Sequence, residues 1–157
     1  MAYHDDLLQQ AVALVHTAPP TQASLRRAVS TAYYAVFHLL IAEAVANWSN
    51  AALRPQLGRA YDHGTMRQAS VQTANKGFTG EDPIAVAGLR LVARTFDELY
   101  GQRHFADYNL TKDLTPTEAL SQVTSAATVF KTWPSIGSVQ IAQEYLVSLV
   151  VNPKRAN

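Results

Sequence analysis

The chain has no cysteine. That excludes a disulfide framework and any thiolate-bound metal. Charged residues make up only 16% of it and the formal net charge is +1, so the chain as a whole is no attractor of polyanions. A nucleic-acid surface would have to come from local clusters of arginine. The first residues, Met1-Ala2-Tyr3-His4-Asp5-Asp6, carry acids where a secretory leader carries lysines. No apolar run approaches the ~18 residues of a membrane span. The five histidines (His4, His16, His38, His63, His104) show neither HxH nor HExxH spacing, so no metal site is expected. A glycine-rich phosphate loop, a nucleophile elbow and a paired-acid site are likewise missing, and no cofactor is expected. No stretch keeps the two-residue alternation of a half-buried strand.

What is present is helical spacing and enough apolar residues, 48% of the chain, to fill a core. The expected fold is all-α: an up-and-down bundle of five to six helices forming one domain over residues 1–157, in a cytoplasmic protein. Prolines mark the starts of several elements. The first helix should run from Tyr3 to His16, with Leu7, Ala11, Leu14 and Val15 inward. The second should start near Thr21 and run to about Asn47, with Leu25, Val29, Ala32, Val36 and Leu40 on one face. The third is expected over Pro55 to Thr73, followed by a loop at Asn75–Gly80. A fourth opens at Asp82-Pro83, carries Ile84, Ala87, Leu91, Phe96 and Leu99, and ends with Arg103 to Tyr108. A fifth opens with Thr115 as N-cap and continues to about Trp133. A sixth, apolar helix is expected from Ser135 to Val151.

Three stripes ask for more than a core reading. Arg27, Thr31, Tyr34 and His38 return to nearly the same helix azimuth. They fit a site with phosphate at Arg27 and proton transfer at His38, or an interface whose polar tips find partners in a neighbouring helix. Arg59, His63 and Arg67, at i, i+4 and i+8, fit an RNA backbone or an ordinary solvated face. The adjacent Gly64 suggests close packing. Arg103 follows Leu99 on one face. It is either paired to Asp107 four residues on or held in a cleft towards a phosphate. Tyr33, Tyr34 and Phe37 read as core rather than as a base-stacking platform.

Two segments resemble the HEPN-domain family. Ser24-Leu25-Arg26-Arg27-Ala28-Val29-Ser30-Thr31-Ala32-Tyr33-Tyr34-Ala35-Val36-Phe37-His38 is similar to its second-helix signature. Arg103-His104-Phe105-Ala106-Asp107-Tyr108 is similar to the segment carrying its arginine. The resemblance covers about residues 3–133 and leaves 135–151 as an extra C-terminal helix. It implies a helical bundle, commonly a homodimer, that acts on or binds RNA without metal. Such proteins often stand beside a nucleotidyltransferase-like antitoxin. The matching site is Arg103, with His104, Asp107, Tyr108 and His63 as catalytic candidates and Arg59, Arg67, Arg27 and His38 as nucleic-acid contacts. Active members carry a histidine four to six variable residues after the arginine; here Tyr108 stands in that region. A tyrosine of ordinary pKa, about 10, is a poor base at neutral pH. The resemblance therefore implies a toxin–antitoxin or defence component that binds RNA or a partner with weak or absent catalysis. The alternatives are an endoribonuclease with a relocated histidine, and a structural subunit docking through the apolar residues Ile141, Leu146, Leu149 and Val150.

Overall fold

Local hydrogen bonds explain where most helices begin. In the computed structural model, which describes residues 1–151, Thr21 and Ser24 bond reciprocally, each backbone N–H to the other's hydroxyl at 3.1 Å. This sets the start of α2 (Gln22–Ala46). Thr115 and Glu118 form the same device before α6 (Pro116–Ile136), at 2.9 and 3.1 Å. Asp62 accepts from the Thr65 backbone and hydroxyl at 2.9 and 2.7 Å and caps α4 (His63–Asn75). The remaining elements are α1 (Tyr3–Val15), a 3-10 turn at Ala51–Leu53, α3 (Arg54–Gly58), α5 (Pro83–Tyr108) and α7 (Gln140–Ser148). Among the described residues the chain is all-α, with seven α-helices and no strand.

The capping carboxyls predict a pH effect. Backbone and hydroxyl donors from Thr65 hold Asp62 below the ordinary carboxylate range, and those of Thr115 do the same for Glu118. The unfolded chain therefore binds these protons more readily. Their contribution is complete above the unfolded pKa values of about 4 and is lost as pH falls through the lower folded values. Melting temperature should drop on acidification below about pH 4. Asp62→Asn, which keeps a cap but not the titration, should flatten that slope; an unchanged slope would discount the cap.

The chain divides into two compact units. The first comprises Met1–Leu39 and Glu98–Phe130. Its core holds Ala11, Val15, Leu25, Val29, Ala32 and Val36, together with Leu99, Ala106, Val123 and Val129. The expected apolar face of α2 is buried throughout, while Leu7 and Leu14 of α1 are only half-buried. By length and composition α2 could also cross a membrane, with an 18-residue stretch of mean hydropathy 1.4, although 67% of that stretch is buried. Ser30, Thr31 and His38 within α2, and Arg26, Arg27 and Glu43 towards its ends, interrupt the apolar run.

Arg26 ties the end of α5 to α2. Its guanidinium donates to the carbonyls of Ala106, Asn109 and Lys112 at 3.0, 2.6 and 2.7 Å, and more weakly to Phe105 at 3.5 Å. A helix C-terminus leaves such carbonyls without partners and carries partial negative charge, so a cation there is doubly favourable. Beside it, the Gln22 amide both donates to the Leu114 carbonyl at 2.8 Å and accepts from the Leu114 N–H at 2.9 Å.

The second unit comprises Leu40–Asp97 and the chain from Lys131 onward. Here four expectations need correction. The single helix expected over Pro55–Thr73 is two helices, separated at residues 59–62. Asp62 starts a new helix there, so Arg59 lies in the turn after α3 while His63 and Arg67 lie on α4, and the three form no common stripe. Gly64 consequently sits in a first turn, where an added Cβ would meet only Asp62 Oδ1 at 3.5 Å. A glycine that is closely packed is Gly88 of α5, whose Cβ would lie 3.0 Å from Ile136 and 3.3 Å from Thr132. On α5 itself Ile84, Ala87 and Leu91 are exposed, while Ala85, Leu89, Val92, Ala93 and Phe96 are buried. This helix is apolar on several sides, so spacing alone did not select the inward one. Finally, α6 continues through Pro134 to Ile136. Gly137 follows, its N–H bonded to the Trp133 carbonyl at 2.8 Å. A proline in a last turn forfeits one bond without ending the helix.

The apolar stripe of α7 belongs to this unit's own core: Ile141, Leu146 and Leu149 are buried and Val150 is half-buried. It is therefore not a free docking face. Ser70 donates to the Met66 carbonyl at 2.7 Å, so its single proton is committed. The buried Tyr145 hydroxyl, also 2.7 Å away, must be the donor to Ser70. Burial pushes the Tyr145 hydroxyl's pKa well up. Tyr145→Phe should cost about 1 kcal/mol in denaturant unfolding; no loss would mean that this bond does not stabilise α4 against α7.

Candidate functional site around Arg103

The two segments that stand out in the sequence face each other within the first unit. On α2, Ser30, Tyr33, Tyr34, Phe37 and His38 follow i, i+3, i+4, i+7, i+8; on α5, Tyr100, Arg103, His104, Asp107 and Tyr108 do the same. Each set occupies one helix face. At its centre the Arg103 guanidinium carbon lies 5.1 Å from the Tyr33 ring centroid, 5.6 Å from Tyr100 and 5.9 Å from Tyr34. Ring faces attract a cation electrostatically, more strongly where water is excluded. The Arg103 side chain is 8% exposed.

Its polar partners include the Tyr33 hydroxyl, which accepts a hydrogen bond from the guanidinium. Nη1 is 3.9 Å from Asp107 Oδ2, a long ion pair, and that oxygen also accepts from the Ser30 hydroxyl at 3.3 Å. Nη2 lies 3.3 Å from His104 Nε2. Arginine only donates, so this contact makes Nε2 the acceptor and assigns the imidazole proton to Nδ1. The Arg103 Nε is buried with no hydrogen-bond partner. Burial raises the Tyr33 hydroxyl's pKa strongly, with the Arg103 charge opposing it. Tyr33 therefore stays neutral, and the cation is met by ring faces, the Tyr33 hydroxyl and one distant carboxylate.

Rings extend from this centre in both directions. Tyr100 and His104 are 4.8 Å apart, and His104 and Tyr108 5.7 Å, with Tyr108 71% exposed. On α2, Tyr33 meets Tyr34 at 5.2 Å, Tyr34 stacks on His38 at 6.5 Å, and His38 meets the exposed Tyr3 at 4.9 Å.

The structure thus groups Arg103, His104, Asp107 and Tyr108, and places His38 at the end of the ring series. Arg27 is exposed on the same helix. The polar stripe read through Arg27 and His38 is interrupted, because Thr31 is buried. Arg59, His63 and Arg67 belong to the other unit. There Arg67 is bonded to Asp97 at 2.8 Å. Sequence reading missed Ser30 and Tyr100 and assigned Tyr33 to the core alone. The available signal was the shared i, i+3, i+4, i+7, i+8 pattern on two helices. Among the described residues, no group of three or more His, Cys, Asp or Glu side chains is placed to hold a metal ion. The chain matches no protein-family model, no curated protein and no solved structure.

Proposed function

We propose that this chain is a HEPN-like, nucleic-acid-associated module of a cytoplasmic toxin–antitoxin or defence system, binding RNA with weak or absent catalysis. The carrying observation is Arg103: a guanidinium shielded by three tyrosines, with one long ion pair and an unmet Nε. A phosphate oxygen reaching it would compete with Asp107 from the start, since that carboxylate sits 3.9 Å away and is shared with Ser30. Arginine stacked on rings and partly unspent in hydrogen bonding suits phosphate recognition. The reading is supported further because the two segments resembling the family meet at this arginine. It includes a homodimer and a nucleotidyltransferase-like antitoxin as partners.

One contact favours a second reading, a metal-independent endoribonuclease. His104 Nε2, 3.3 Å from Arg103 Nη2, would act as the base on release from that contact, beside the charge-stabilising group. The ribose 2′-hydroxyl would attack the adjacent phosphorus, its proton passing to His104, as the P–O5′ bond breaks and the departing 5′-oxygen takes a proton from water. Tyr108 would contribute a hydrogen bond and no base.

Both readings are tested by incubating the purified chain with labelled single-stranded and structured RNA in EDTA, following binding and cleavage together. Binding without cleavage is the expected outcome. Cleavage that survives chelation and disappears in His104→Ala would establish the second reading. Absence of binding at low salt would overturn both.

A further inference from the structure

The solvent face of α5 is apolar over its first turns, where a solvent face is ordinarily polar. Ile84, Ala87 and Leu91 stand at i, i+3 and i+7, so they share one face of the helix. Ile84 is 80% exposed and Leu91 37%, and Ala87 is exposed between them. Single exposed apolar side chains are ordinary, but three in succession at coiled-coil spacing form a seam. Another side of the same turns is already committed to the core, through Ala85, Leu89 and Val92. Opposite charges flank the seam. Glu81 lies three residues before Ile84, and Arg94 three residues after Leu91. Both are exposed, and among the described residues neither has a hydrogen bond or an ion pair. The neighbouring acid Asp82 differs, because it accepts from the Ile84 N–H at 3.2 Å.

We propose that this stripe docks a second copy of the chain, antiparallel, about a two-fold axis level with Leu89. A two-fold contact needs a surface complementary to itself. Antiparallel pairing sets Leu91 of each copy on the partner's Ala87, large against small. It lays the Arg94 stem over the partner's Ile84 and carries the guanidinium to the partner's Glu81. The acid before the stripe thus meets the base after it, twice. A parallel pairing would instead set like charges side by side. Every residue used belongs to the second unit, whereas Arg103 belongs to the first. This contact is therefore distinct from any dimer built around Arg103, and it does not rest on the RNA reading.

The test is sedimentation equilibrium of the full chain at up to about 0.5 mM. A seam of two turns is smaller than a standard interface, so an association step with Kd of about 10–100 µM is expected. Arg94→Glu should weaken that step about ten-fold, because the two-fold axis makes each substitution count twice. Glu81→Arg should do the same. The double variant Glu81→Arg/Arg94→Glu, with the charges exchanged, should recover to within about three-fold of the original chain. Both positions are exposed, so circular dichroism should show every variant folded. Arg103→Ala should leave the step unchanged. The proposal is overturned by a chain that shows no such step, by single variants that associate as well as the original, by a double variant no better than the singles, or by loss of the step in folded Arg103→Ala.

Discussion

Arg103→Ala is expected to weaken RNA binding by about ten- to a hundred-fold, the worth of one or two charge-assisted hydrogen bonds to phosphate. The guanidinium is already oriented by Tyr33, Tyr34 and Tyr100, so little ordering remains when a phosphate arrives. Arg103→Lys should not restore binding. An ammonium keeps the charge but neither spreads over the three rings nor presents two parallel donors. The measurement is fluorescence anisotropy with labelled RNA at two salt concentrations, with circular dichroism to confirm the fold. An affinity within about two-fold of the original chain, in a folded variant, would remove Arg103 from the site. Full retention by lysine would reduce its role to net charge.

Arg26→Ala is expected to be the most damaging of the exposed or half-buried substitutions. It removes the donors that satisfy carbonyls of Ala106, Asn109 and Lys112, and the contact of its guanidinium with the Phe105 ring at 5.8 Å. Several bonds from one charged group to a helix terminus should be worth about 2–3 kcal/mol. For a chain of this size that lowers the melting temperature by about 5–10 °C. Arg26→Lys, a single point donor, should recover less than half of the loss. A shift of under about 2 °C in the alanine variant would show that water replaces the guanidinium at little cost. Because the carbonyls held by Arg26 end the helix that carries Arg103 and Asp107, the alanine variant should also bind RNA less well at temperatures where it remains folded.

Much of the local structure was legible from residues close in sequence. Thr115 and Glu118 three apart, the proline-led starts of α5 and α6, and the apolar spacing from Leu25 to Leu40 all involve interactions within one helical turn or one helix face. Errors came where two local preferences compete. Asp62 splits a segment whose spacing otherwise continues a helix, and Pro134 looks like a boundary but lies in a last turn. On α5 several faces are apolar, so the choice of Leu89 and Val92 over Ile84 and Leu91 rests on which neighbours pack there.

The sequence by itself determined that this chain is helical and where most of its helices start, because propensity, capping and periodicity act over a few residues. The tertiary structure alone decided what surrounds Arg103. Tyr33 is 70 positions away in the chain and Ser30 bonds to Asp107 across 77. It also decided that Arg26 closes the end of α5 across 80 to 86 positions. Such partners are chosen by the packing of whole helices, and no spacing rule along the chain encodes which ring or carbonyl a given guanidinium will meet.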